Sequence, residues 1–135
     1  RITSNQAITT ATTTAVSWNS EDKDTDAFID LATQPTRVTV PNGHGGSYEF
    51  KGGVLWNATL LGTYRLVALY VNGVEKVRNQ IRPPATAGWV TQLIAEDLDL
   101  ANGDYVEMKV QHDAGVNEDI IFGSVYTWLS FNRIG

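Results

Sequence analysis

The chain of 135 residues has no cysteine. That excludes a disulfide framework, a thiolate zinc site and a thiol nucleophile, and leaves the redox compartment open. Histidine is scarce too. His44 and His112 are the only two, in separate segments without a ligand-spaced partner. A three-histidine zinc site is therefore impossible within one chain, and only a three-fold axis gathers three copies of either. Both are expected at exposed loop or strand-end positions. Basic residues number 10 against 15 acidic ones, for a net charge of −5, and no Lys/Arg cluster stands out. Such a chain is poorly made to grip a phosphate backbone, so no nucleic-acid partner is expected. No apolar run approaches the roughly 18 residues of a membrane-spanning helix, so no membrane insertion is expected. No Gly-x-Ser-x-Gly elbow is present. The adjacent carboxylates Glu118 and Asp119 point to opposite faces if they lie on a strand. The chain reads as a non-enzyme.

Helix formers are few as well. Leu, Glu and Lys together number 20, against 36 residues of Thr, Val and Ile. β-branched side chains lose rotamer freedom in a helix and pack well on a pleated surface. With 13 aromatic residues added, the composition predicts an all-β domain. The length suits one domain, 1–135, which at this size buries about 68% of its unfolded surface.

Alternation and turn residues place the strands. A short strand is expected near 6–8 and another over 12–18. The stretch Glu21-Asp22-Lys23-Asp24-Thr25-Asp26 is too polar to bury and reads as a loop, after which Phe28 and Ile29 return to the core. A strand over 36–40 is bounded by Pro35 and Pro41. The glycine-rich turn at 42–46 leads into a strand over 47–59, in which Gly52-Gly53 suggests a bulge or kink. Segments 64–71 and 74–81 flank Asn72-Gly73, the signature of a type I′ hairpin, whose two central residues need φ > 0. A loop containing Pro83-Pro84 precedes a strand over 89–95. Asn102-Gly103 precedes a strand over 104–110, with Asp104 placed to stabilise the turn. Residues 120–134 form a final strand, broken near Gly123. About eight to ten strands and no helix point to a sandwich or jelly roll. On the last strand Val125, Thr127, Leu129 and Phe131 suit the core. Tyr126 and Trp128 share the other face, which is either buried in the same sandwich or turned to another subunit.

The order of motifs is familiar. Asp24-Thr25-Asp26-Ala27-Phe28, Pro35-Thr36-Arg37-Val38-Thr39-Val40-Pro41, Gly46-Ser47-Tyr48 and Trp56 come first. Gly62-Thr63-Tyr64-Arg65, Val71-Asn72-Gly73, Gly103-Asp104-Tyr105-Val106-Glu107 and Arg133-Ile134-Gly135 follow. Together they resemble the C1q/TNF-like jelly-roll domains that end many bacteriophage and prophage fibre proteins. The resemblance spans nearly the whole chain. It implies a ten-strand jelly roll assembling as a homotrimer, with Tyr126 and Trp128 at the trimer interface. It implies a head or cap on a fibre, on a virion surface or otherwise extracellular, that registers three chains and attaches to a host glycan or protein. The chain opens on Arg1 rather than Met, and a stalk or further domain is expected upstream. Two other roles fit the same residues: a carbohydrate-binding jelly-roll module of a secreted protein, and the head of a collagen-like bacterial or spore-surface filament.

Two ligand sites are worth naming. Asp22, Asp24 and Asp26 alternate, as hard-oxygen ligands for calcium do. The loop is no EF-hand: Ala27 occupies the glycine position and Thr33 the position of the bidentate glutamate. Relatives in the C1q class sometimes carry calcium near the trimer apex. The alternative is a solvated acidic loop. The chain also carries four tryptophans, and sugars stack on exposed indoles. Trp56 and Trp128 lie within expected strands and suit core or interface. Trp89, beside the proline loop and near Arg82, is the first place to expect a ligand surface.

Overall fold

The computed structural model describes residues 1–86 and 88–135. It contains ten strands: β1 (Gln6–Ile8), β2 (Thr14–Ala15), β3 (Val38–Thr39), β4 (Gly46–Trp56), β5 (Arg65–Val71), β6 (Val74–Ile81), β7 (Val90–Leu100), β8 (Tyr105–His112), β9 (Glu118–Ile120) and β10 (Trp128–Arg133). There is no helix among the described residues, and so none that could cross a membrane.

Two five-stranded antiparallel sheets face each other. In the first, β4 pairs with β7 along one edge and with β9 and then β10 along the other, and β1 closes on β9. β9 and β10 run the same way along β4, so they are two parts of one strand interrupted by residues 121–127. In the second sheet β8 carries β5 on one edge and the short β2 and β3 in succession on the other, and β6 pairs with β5. The core between the sheets is built on Ile8, Phe50, Trp56, Leu69, Met108 and Ile120, each no more than 1% exposed.

Local sequence explains the elements. β5 is a central strand, buried throughout except at Tyr70. β6 is an edge strand that alternates exposed and half-buried residues. Its Glu75, Lys76 and Arg78 guard that edge, because charged side chains discourage edge-to-edge pairing. The hairpin between them turns on Asn72 (φ 50°) and Gly73 (φ 79°), as the type I′ geometry requires. Asp104 ties this turn to the next: its carboxylate accepts from Asn72 Nδ2 (2.8 Å) and from the Ala101 N–H (2.8 Å). Those two bonds hold its carboxyl below the ordinary range.

Several expectations need correction. Gly52-Gly53 makes no bulge: the register of β4 runs unbroken against both β7 and β10. The glycines serve close approach instead. A Cβ on Gly52 would lie 2.7 Å from Met108 Sδ, and one on Gly53 2.7 Å from Trp128 Nε1. The segment over 12–18 forms only the short β2: the Val16 N–H still reaches the Met108 carbonyl of β8 (2.9 Å), and the Trp18 N–H has already turned to the Pro35 carbonyl (2.8 Å). β7 runs on to Leu100, beyond the expected 95, since Glu96, Asp97 and Asp99 are exposed on it and cost no desolvation. Val125 is no core residue. It lies in the interruption at 73% exposure, while Leu129 and Phe131 do pack on the core. His112 is not exposed either. It is fully buried, with Nδ1 accepting from the Ala114 N–H (3.1 Å) and Nε2–H therefore facing the Ile8 carbonyl (2.8 Å).

Candidate functional site

The outer face of the first sheet carries a row of apolar residues. Antiparallel partners point to the same side of a sheet. Gly53 stands opposite Leu93 on β7 and opposite Trp128 on β10. The missing side chain at Gly53 gives the indole of Trp128 its seat, and the same point lies 3.3 Å from Leu93 Cδ2. Leu93 is 61% exposed, which is high for a leucine in the middle of a strand, while Trp128 is half-buried. Between them lies a shallow cavity of about 330 Å³, lined also by Lys51 and Ala95.

The face changes character along the strands. The row after Leu93–Gly53–Trp128 is Ala95–Lys51–Ser130, and the next is Asp97–Glu49–Asn132. Lys51 pairs with Glu49 (2.9 Å), and Ser47 donates to Asp99 beyond. One end is thus apolar and the other charged. Tyr126 belongs to the apolar end of the chain's path, in the turn before β10. It is 46% exposed and packs its ring over Gly123, where a Cβ would come within 2.9 Å. Sequence reasoning singled out Tyr126 and Trp128 but missed Leu93 and Gly53. The signal for Leu93 was available: counting back by twos from Leu100 puts Leu98, Ile94 and Gln92 inward and Leu93 outward.

Arg82 and Trp89 lie in the connection between β6 and β7. Both are exposed, Trp89 by 61%. Trp89 precedes the strand rather than starting it.

The structure spreads the three aspartates among separate tasks. Asp24 accepts from the N–H groups of Phe28 (3.1 Å) and Ile29 (2.9 Å), which closes a turn that holds Ala27 at φ 58°. Asp22 pairs with Arg1 (2.9 Å). Asp26 accepts from the Thr25 hydroxyl (3.3 Å). No group of three or more potential metal ligands is gathered among the described residues.

A buried polar network underlies the apolar end. Gln92 accepts from Trp56 Nε1 (2.7 Å) and donates to the carbonyls of Arg65 (2.9 Å) and Asn79 (3.0 Å). It therefore pins β7 of the first sheet to β5 and β6 of the second. Arg65 is 1% exposed. Its guanidinium donates to the carbonyls of Tyr64 and Leu61, each at 3.0 Å, and burial lowers its pKa against the pull of Glu118.

No family profile and no curated protein matches the sequence. Solved structures do match the fold. Murine APRIL superposes with a TM-score of 0.70 at 16% identity, over 97% of this chain and 98% of that one. The Eiger TNF of S. frugiperda superposes with a TM-score of 0.58 at 13% identity, over 97% and 92%. Identities this low speak to the fold alone. The fold is a TNF-like jelly roll, in line with the class expected from the motifs.

Proposed function

We propose that the chain is the head of a homotrimer, that three copies meet through the apolar end of the first sheet's outer face, and that the head caps a fibre or surface appendage of a phage. The observation that carries this is the Leu93–Gly53–Trp128 row. It is an exposed apolar surface, built around a seated indole, on a chain of net charge −5. Apolar patches rimmed by charge mark interaction surfaces, and a TNF-like jelly roll is often trimeric. The role is assembly and binding rather than catalysis. Attachment to a host surface would follow from avidity. Three weak sites on one rigid head, repeated over many fibres, hold a surface that no single site could.

Light scattering after size exclusion, at micromolar protein, tests the assembly. The expected mass is three times the 14.8 kDa chain. Leu93→Glu should give the single-chain mass with the circular-dichroism spectrum of the parent. The same run with chelator reads whether the Asp22–Asp24–Asp26 loop brings calcium into the assembly. A parent protein that runs at the single-chain mass overturns the trimer. It would favour the carbohydrate-binding module, for which the exposed Trp89 indole is the specific support. Glycan binding compared between the parent and Trp89→Ala separates that case.

A further inference from the structure

β10 has a ladder partner along one edge only. On β4's side of that strand the register continues to Ile134, whose N–H reaches the Ser47 carbonyl (2.8 Å). Backbone groups alternate in direction along an antiparallel strand. Trp128, Ser130 and Asn132 therefore face β4, and the N–H and C=O groups of Leu129, Phe131 and Arg133 face away from it. None of these outward groups has a hydrogen-bond partner among the described residues. β1 does not reach them. It covers only β9, and the chain ahead of it turns aside at Arg1, whose amine donates to the Ser20 carbonyl (2.9 Å).

The open edge borders a groove of about 730 Å³, with residues 20–31 as the opposite wall. An aromatic cluster forms its floor: Phe28 lies 5.1 Å from Phe131 and 5.7 Å from Tyr48, ring centre to ring centre. Trp18 also lines it, and the Trp18 indole N–H is buried with no acceptor among the described residues. The wall carries Glu21, Asp22, Asp24 and Asp26, and Lys23, Arg1 and Arg133 also line the groove. Asp22 is paired with Arg1 and Asp24 with the Phe28 and Ile29 N–H groups, which leaves Glu21 and Asp26 as the carboxylates without an ion pair among the described residues. The other long edges are guarded. β6 presents Glu75, Lys76 and Arg78, and β7 presents Glu96, Asp97 and Asp99. β10 has no charge before Arg133. An uncharged edge of this kind is a template for another strand.

We propose that the groove takes an extended segment of another polypeptide, which pairs with β10 as an added strand. Backbone bonds to Leu129, Phe131 and Arg133 would hold it. Apolar side chains at alternate positions would enter over Phe28 and Phe131, and Lys or Arg residues among the others would meet the acidic wall. The site is the edge of the sheet and the proposed trimer face its broad side, with Trp128 lining both.

The test uses the whole chain, isotope-labelled, and three short blocked peptides. One alternates lysine with valine. The second replaces its lysines with glutamates. The third replaces its central residues, valine and lysine alike, with proline, which cannot donate to a ladder. The lysine peptide is expected to slow amide exchange at Leu129 and Phe131 and to bind about tenfold tighter than the glutamate peptide, a difference in one interaction class. The proline peptide should give no protection. In the parent fold, Glu21→Lys with Asp26→Lys should remove the preference for lysine, and Leu129→Pro should abolish protection at Phe131 without touching the bonds to β4. Three results would overturn the proposal. One is no protection at millimolar lysine peptide, and another is equal binding of the proline peptide. The third is concentration-dependent protection of Leu129 and Phe131 in the free protein, which would assign the edge to a second copy of the chain.

Discussion

Replacing Gln92 with leucine removes a side chain of similar volume and every bond it makes. Gln92 is 1% exposed, and Trp56 beside it is fully buried. The Trp56 N–H loses its acceptor at 2.7 Å. The Arg65 and Asn79 carbonyls each lose a donor. An orphaned buried donor costs about 1–3 kcal/mol, and a carbonyl that keeps a ladder bond costs less. Better transfer of leucine from water offsets about 1–2 kcal/mol of this. The expected net loss is about 3 kcal/mol, a large part of the 5–15 kcal/mol typical of a folded domain. Urea unfolding at fixed protein concentration measures it, since the stability of an assembly depends on concentration. A second substitution isolates the cause. Trp56→Phe removes the orphaned donor, so it should cost at least about 1 kcal/mol less in the Gln92→Leu background than in the parent. A Gln92→Leu protein as stable as the parent, or strict additivity with Trp56→Phe, would refute the claim that this network holds the two sheets together.

Other outcomes follow from single positions. Ala27 sits at φ 58°, where an L side chain is strained by about 1–2 kcal/mol. Ala27→Gly should stabilise the fold by about 0.5–1 kcal/mol after the entropy of glycine is counted, and an unchanged urea midpoint would argue against strain there. Gly53→Ala places a methyl 2.7 Å from Trp128 Nε1. The indole must leave its seat, so light scattering should show weaker assembly while the chain stays folded. Asp104 has a folded-state pKa below its ordinary 3.8. Its contribution is therefore complete above the unfolded value and is lost as pH falls through the folded one. Asp104→Asn should flatten the decline in stability below about pH 4, and an unchanged acid profile would show that the Asn72 and Ala101 bonds do not favour the ionised form.

Much of the architecture was legible because its causes are local. The hairpin at Asn72-Gly73, the strand at Gln6–Ile8 and the all-β class follow from φ preferences and β-branching, which act over a few residues. The misreadings share one origin: they concern tertiary neighbours. Gly52-Gly53 looks like a bulge until Met108 and Trp128 arrive from other strands. His112 looks like a strand-end residue until the Ile8 carbonyl and the Ala114 amide close around it. Val125 fits a core pattern only if the last strand is continuous, and seven residues interrupt it. The residues of the proposed trimer face were half visible. Aromatics announce themselves, whereas Leu93 needed the phase of β7, which its acidic residues obscured. The open edge of β10 could not be read at all, since it depends on where β1 stops.

The interruption between β9 and β10 has a further consequence. Its upstream end is fastened by the Ile121 N–H to the Leu55 carbonyl (2.8 Å). Its downstream end is fastened by the Leu55 N–H to the hydroxyl of fully buried Thr127 (3.4 Å). Both anchors are on one residue of β4, so the loop leaves and re-enters the sheet at the same rung. A loop closed in this way tolerates changes in length cheaply, because closure entropy grows only slowly with the number of residues. Phe122 and Gly123 are tied to the N-terminal segment as well, through Asn5 Oδ1 (3.1 Å) and the Ile2 carbonyl (3.2 Å), so the exposed Ser124 and Val125 are the place for a cassette. Foreign sequence displayed there would leave strand register untouched as long as Ile121 and Thr127 keep their hold on Leu55.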